Sequence, residues 1–210
     1  LLPILNGRCE RYVFTDVSRV FLVQAQTRFA AFSFVQYSLL NIDADPRRQG
    51  FASAQFDLLI ATNCLHATPL IRTTLCHCHQ LLRPAGLMVV NEALTTDAFT
   101  QMTFGLTDGW WLFHESRDPE RLGQSSPMLN WRQWEGLLVD TGFRQSHCMQ
   151  GGGALRGHAV IVAEASADHI AAHARAHARA TRGGVRVVTG GLGGLGLIAA
   201  RVIWDTVAPS

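Results

Sequence analysis

No run of apolar residues in this 210-residue chain approaches the roughly 18 that a membrane-spanning helix needs. The first residues also lack a basic flank followed by an apolar core and a cleavage site, so neither a span nor a secretory leader is expected. Charge of one sign is scarce. Eighteen basic residues against sixteen acidic ones leave +2, and the basic residues are scattered without aromatic interleaving, which argues against nucleic acid as a partner. Cysteine is too sparse and too irregular for a disulfide framework. Cys9, Cys64, Cys76, Cys78 and Cys148 are odd in number, the pattern of free thiols in a reducing, cytoplasmic compartment. The 48% hydrophobic content is what remains to build on, and it suits an ordinary core in one large domain or one domain plus a piece of another.

Strand and helix patterns alternate from the start, the mark of an α/β fold with a parallel sheet. "RYVFTD" reads as a strand ending at Asp16, and "SRVFLVQAQTRFA" as a helix with Ser18 as its N-cap. "FVQYSLLNID" is the next strand, running to Asn41 or Asp43, and "FDLLIAT" has the continuous apolar character of a buried parallel strand. A helix is expected from Thr68-Pro69 to Leu82, ended by Pro84 and Gly86, followed by the strand "GLMVVNEA". The aromatic stretch from Thr95 to Pro127 reads as a long irregular connection, of the kind that forms a lid. "NWRQWEGLLVDTG" is an amphipathic helix stopped by Gly142, and "FRQSHCMQ" and "HAVIVAEA" form a closing strand pair. Alanine, histidine and arginine then dominate a linker over residues 166–184, and "VRVVTGGLGGLGL" begins something new.

Ligands bind outside the carboxyl ends of parallel strands, so polar residues at those ends are the first candidates. They are Asp16; Asn41 and Asp43; Asn63 followed by His66; and Asn91 and Glu92. Asp16 has two readings of equal standing: a carboxylate that accepts the hydroxyls of a ribose, or a residue that begins the turn into the next helix. His66 gains interest from Glu92, at the end of the next strand, because a carboxylate on one imidazole nitrogen fixes the tautomer and raises the basicity of the other.

Three further patterns attract attention. In "CHCH" only Cys76 and His79 share a helix face, so the four residues cannot converge on one metal ion. His169, His173 and His177 have metal-compatible spacing but sit among alanine and arginine, where a solvated linker helix is the favoured reading. No metal is expected. Thr189 and the glycines Gly190, Gly191, Gly193, Gly194 and Gly196 have the form of a dinucleotide-binding turn, which also needs further βα units and an acidic residue about 20 positions on. The expectation is a unit of which only the opening is present.

The blocks "YVFTDVSRVFLVQAQTRF", "LLNIDADPRRQGF", "FDLLIATNCLHAT", "TLCHCHQLLRPAGLMVVNEA" and "TFGLTDGWWLF" resemble, in order and spacing, the C-methyltransferase domain of modular polyketide synthases. The resemblance covers residues 1–165, and "VVTGGLGGLGL" resembles the start of a ketoreductase domain over residues 185–210. It implies a Rossmann-like class I methyltransferase sheet with helices on both faces. It also implies S-adenosyl-L-methionine as cofactor, and as substrate a β-ketoacyl chain held on an acyl carrier protein by phosphopantetheine, with neighbouring synthase domains as partners. By position, Asp16 would hold the cofactor ribose, Asn41, Ile42 and Asp43 would lie near the adenine, and Asn63 and Cys64 would lie at the junction with substrate. His66 and Glu92 would form the catalytic pair, and Asp108, Trp110 and Trp111 would wall the substrate pocket. Thr189 and the glycines Gly190, Gly191, Gly193, Gly194 and Gly196 would hold NADP(H) in the neighbouring domain.

The family's first strand and its glycine-rich loop are expected before Leu1, which leaves a central slot in the sheet with exposed ladder edges. The unit Val185 to Trp204 is itself strand, glycines and helix, so it can dock into that slot in place of the lost loop. Two other functions remain in view. One is an NADP-dependent ketoreductase of the short-chain type; the other is a catalytically silent module that spaces its neighbours.

Overall fold

Alternation of apolar side chains along each strand decides the architecture. In the computed structural model, which describes residues 2–153, 156–167 and 185–190, a short helix α1 (Leu2–Leu5) leads into β1 (Cys9–Asp16), α2 (Arg19–Arg28) and β2 (Val35–Leu39). Then come β3 (Phe56–Thr62), α3 (Ile71–Leu81), β4 (Leu82–Ala93), α4 (Ala98–Phe104), α5 (Asp108–Glu115), α6 (Trp131–Asp140), β5 (Phe143–Gln150), β6 (His158–Ala165) and β7 (Val185–Gly190). The strands form one sheet in the order β2-β1-β7-β3-β4-β6-β5. The pairs from β2 to β4 are parallel, whereas β6 runs antiparallel to both β4 and β5.

Because successive side chains point to opposite faces, one face collects Val13, Leu59, Ala61, Met88 and Val90 beneath Leu75 and Cys78 of α3 and Trp134 and Leu138 of α6. The other collects Tyr12, Phe14, Ile60, Val89 and Val187 beneath Leu22 and Ala25 of α2. This is a Rossmann-like sheet with helices on both faces. No described helix is long and apolar enough to cross a membrane, and none of the five cysteines is in a disulfide.

Strand β7 occupies the central slot. Tyr12 and Leu58 both face Val187, and Thr15 and Ala61 both face Gly190, so the strand is hydrogen-bonded on each side. Side chains tie it in as well: Asp57 Oδ2 accepts the Arg186 N–H at 2.8 Å, and the Cys9 thiol donates to the Val185 carbonyl at 3.1 Å. Val187 is fully buried. The expected docking of this strand therefore holds for residues 185–190. Gly191, Gly193, Gly194 and Gly196, the His169, His173 and His177 series and the rest of the unit to Trp204 lie outside the described residues.

Three local expectations are corrected. The stretch from Thr95 to Pro127, expected to be irregular, contains α4 and α5. Asp97 caps α4 by accepting the Thr100 N–H at 2.7 Å, and Thr107 precedes α5. Helix α3 begins at Ile71 rather than at Thr68-Pro69, because the carbonyls of those two residues are taken by Arg121 instead of by a helical turn. The chain also enters β4 directly at Leu82. Gly86 is needed there, since a Cβ would meet the Arg83 carbonyl at 2.9 Å and the Asp57 carbonyl at 3.3 Å.

Candidate active site

The parallel strands deliver their carboxyl ends to one edge of the sheet. A cavity of about 350 Å³ opens there between Asp16 after β1, Asn41, Ile42 and Asp43 after β2, and Asn63 and Cys64 after β3. Much of its lining is apolar, with Leu59, Ile60 and Ala61 from β3, Cys78 and Leu81 from α3 and Leu112 from α5. Gly190 ends β7 between Thr15 and Ala61, at this same edge. The size and the mix of apolar wall with few polar groups are those of a small-molecule site.

The six residues expected to touch a cofactor all line this cavity. Asp16 does both things the sequence allowed: its Oδ1 accepts the Ser18 N–H at 2.8 Å, while its side chain borders the cavity. Gln49 braces the loop after β2, accepting the Asn41 N–H and donating to the Asn41 carbonyl, each at 2.8 Å. Asn41 Oδ1 in turn accepts the Asp43 N–H at 3.0 Å, and His77 Nδ1 reaches the Ile42 carbonyl at 2.7 Å. Burial raises the Asp43 carboxyl above its ordinary range, with His77 opposing the shift. Asp43 Oδ1 is buried and has no hydrogen-bond partner. Asn63 turns the chain out of β3 with φ at 46°, the left-handed region that asparagine tolerates better than most residues. Burial also drives the Cys64 thiol well above its usual range, helped by the nearby Glu92 carboxylate, and Cys78 is pushed up to about 12.

His66 and Glu92 meet. His66 sits in a single 3-10 turn, Leu65–Ala67, that follows β3; Glu92 projects from the end of β4 and is fully buried. The His66 Nδ1 bonds Glu92 Oε2, while Glu92 Oε1 accepts the N–H groups of Cys64 at 3.0 Å and Leu65 at 2.8 Å. One carboxylate thus holds both the ring and the backbone that carries it. Because Nδ1 is committed, Nε2 is the nitrogen left for chemistry, and the imidazole keeps 10% of its side-chain surface open.

The three residues expected to wall a substrate pocket separate. Trp110 is buried and meets the His66 ring edge-on, centroids 6.2 Å apart, with its indole N–H donating to Gln101 at 3.1 Å. Trp111 donates to the Gly105 carbonyl at 2.9 Å, and Asp108 is exposed at the start of α5. Neither borders the cavity, where the helix is represented by Leu112. In "CHCH", Cys76 is exposed while His79 is buried edge-on to Phe143 at 5.2 Å, so even the two residues expected to share a face differ in surroundings.

Sequence reasoning missed Asp118 and Arg121, both about 1% exposed. "DPER" does carry a turn signal, with Asp118 capping and Pro119 in first position. Nothing local, however, announces that Arg121 reaches the His66 turn.

Residues 1–88 match the family described as a methyltransferase domain. Squalestatin tetraketide synthase clz2 of Cochliobolus lunatus is 42% identical over 138 residues, which are 65% of this chain and 5% of that protein. The crystal structure of CurJ carbon methyltransferase superposes with a TM-score of 0.68 at 38% identity, over 75% of this chain and 42% of that one. The trans-methyltransferase CalH, solved in complex with SAH, gives 0.67 at 32% identity, over 74% and 43%. The chain therefore spans under half of either solved structure and a small part of the curated relative. In fold, cleft and sequence the chain is similar to the carbon methyltransferases of polyketide synthases, and its first 88 residues match a methyltransferase domain.

Proposed function

We propose that this chain is the S-adenosyl-L-methionine-dependent C-methyltransferase part of a polyketide synthase and methylates the α-carbon of a β-ketoacyl chain carried on an acyl carrier protein. The observation that carries the reading is the buried His66–Glu92 pair beside a cleft of matching chemistry. The cleft fits an adenosyl group. Asp43 Oδ1 is a buried acceptor without a donor, as the exocyclic amine of adenine would supply, and Asp16 borders the cavity with a carboxylate suited to ribose hydroxyls. Ile42, Leu81 and Cys78 offer the base an apolar bed.

A carbon between a ketone and a thioester is acidic enough for a positioned imidazole. His66 Nε2 takes the proton, and Glu92 holds the Nδ1 proton and stabilises the imidazolium that results. General-base catalysis of this kind contributes about 10²–10⁴-fold. S-adenosyl-L-methionine, when bound, supplies the sulfonium methyl that the enolate accepts. Holding both reactants in one cleft contributes roughly 7–11 kcal/mol through orientation. Trp110, edge-on to the imidazole, limits where a substrate can approach it.

The glycine-rich segment after β7 retains two readings. Its opening of a ketoreductase unit that uses NADP(H), after a linker over residues 166–184, rests on the glycine pattern alone. The pairing of β7 on both edges supports the other reading, in which the segment serves this sheet and its cleft.

The test is incubation of the chain with S-adenosyl-L-methionine and a β-ketoacyl pantetheine thioester. A product heavier by one methylene, lost in His66→Ala while labelled cofactor still binds, is the expected result. Cofactor binding without product in the unaltered chain would favour the silent module instead.

A further inference from the structure

Among the described residues Arg121 is the largest fully buried charged side chain, and its guanidinium is fully enclosed. It closes a 3-10 turn, Pro119–Arg121, and spends its donors in two directions. Nε donates to Asp118 Oδ2 at 2.6 Å. Nη1 donates to the His66 carbonyl at 2.6 Å, and Nη2 to the carbonyls of Thr68 at 2.6 Å and Pro69 at 3.3 Å. Its Cζ lies 5.2 Å from the centre of the Phe113 ring, on the same helix as the Trp110 that meets His66.

Burying a cation costs several kcal/mol before its partners repay it, and an apolar replacement often serves stability equally well. Desolvation indeed pulls Arg121 below its ordinary range, with Asp118 opposing. What an apolar side chain cannot do is draw three carbonyl oxygens to one point. Those carbonyls belong to the end of the turn opposite the one Glu92 grips through the Cys64 and Leu65 N–H groups. The turn is thus held between an anion at its N–H end and a cation at its C=O end, the signs that match aligned peptide dipoles. Charge-assisted bonds at both ends are the strong kind.

We propose that Arg121 is a positioning residue for His66: by clamping the backbone carbonyls of the turn, it sets the angle at which the imidazole meets Glu92. The inference rests on the reading of His66 as the base. Arg121 reaches neither Asp16 nor the Asn41–Asp43 loop through any of these contacts, so its loss acts on the chemical step rather than on cofactor binding.

The test compares Arg121→Met and Arg121→Lys with the unaltered chain in four readouts: kcat, KM, cofactor affinity and the downfield proton resonance of the His66 Nδ1–H bonded to Glu92, assigned by its loss in His66→Ala. Misplacing a reacting group by about 1 Å can cost about 10²-fold, so Arg121→Met should lose about 10- to 100-fold in kcat with KM and cofactor affinity within about twofold. Its downfield proton should broaden or vanish. Arg121→Lys keeps a charge but cannot reach three carbonyls and a carboxylate together, so it should recover only part of the loss. Guanidinium ion added to Arg121→Ala, well below denaturing concentration, should recover more. A folded Arg121→Met with unchanged kcat and an unchanged downfield proton overturns the proposal. If Arg121→Met does not fold, Arg121→Lys decides, and wild-type kcat and proton resonance there overturn it equally. Failure of the unaltered chain to transfer methyl would sink the reading of His66 as base, and the resonance would still report whether Arg121 holds that ring.

Discussion

The His66 turn and the Asp16–Asp43 cleft lie at the same edge of the sheet and are built on opposite plans. The turn is enclosed and over-determined: Glu92 accepts three bonds there, and Arg121 donates to three carbonyls. The cleft is open and held by backbone and neutral amides, and it keeps one buried carboxylate oxygen without a donor. Under the function proposed, each plan suits its task. Proton transfer by His66 would need a fixed nitrogen, and its supports are ionic and complete. Cofactor binding would use the acceptor that Asp43 keeps in reserve, at a cost in stability that a ligand removes.

The largest effect should come from unbalancing the enclosed half. Glu92→Gln keeps an acceptor for the Cys64 and Leu65 N–H groups but turns an amide donor toward Nδ1, which forces the wrong tautomer. Loss of about 10²–10⁴-fold in kcat is expected, with cofactor affinity and thermal midpoint nearly unchanged, measured by single-turnover methyl transfer.

Next comes the strand on which the cleft rests. Val187→Asp buries a charge at the sheet centre and should destabilise on the order of 4 kcal/mol by denaturant titration. Val185→Asp on the same strand, 42% exposed, should stay within about 0.5 kcal/mol. Equal stability of the two variants would remove β7 from the sheet.

The smallest effect sharpens the contrast from the open side. Asp43→Ala should weaken cofactor binding roughly tenfold by calorimetry, at about 1.4 kcal/mol per tenfold. It should also raise the thermal midpoint by about 2–4 °C for each kcal/mol of relieved burial. The carboxyl is raised in the folded state, so the protonated form is favoured by folding. The unaltered chain should therefore gain stability over Asp43→Ala on acidification and lose that gain as pH rises through the raised range. Its cofactor affinity should fall over the same acidification, and that of Asp43→Ala should not.

Much of the site was legible because strand ends converge by topology. Reading four strands in order was enough to place Asp16, Asn41, Asp43, Asn63, His66 and Glu92 along one edge. Helices α4 and α5 escaped because they are short, seven and eight residues, and present too few turns for a period to show; their caps, Asp97 and Thr107, were the available signal. Trp110 and Trp111 look alike in "DGWW", but consecutive helical residues point about 100° apart, so only one meets His66.

Local pattern was enough to set the alternation of strand and helix, the apolar faces of the sheet and the polar residues at its rim. These follow from periodicity and from chain order, which act over a few residues at a time. It took the packed fold to bring Arg121 onto a turn 55 residues away, and to pair β7 on both edges in the slot that the sequence had only offered it. A buried cation takes whichever carbonyls packing brings within reach, and a sheet edge pairs with whichever strand can fill it. Both outcomes depend on the assembled neighbours.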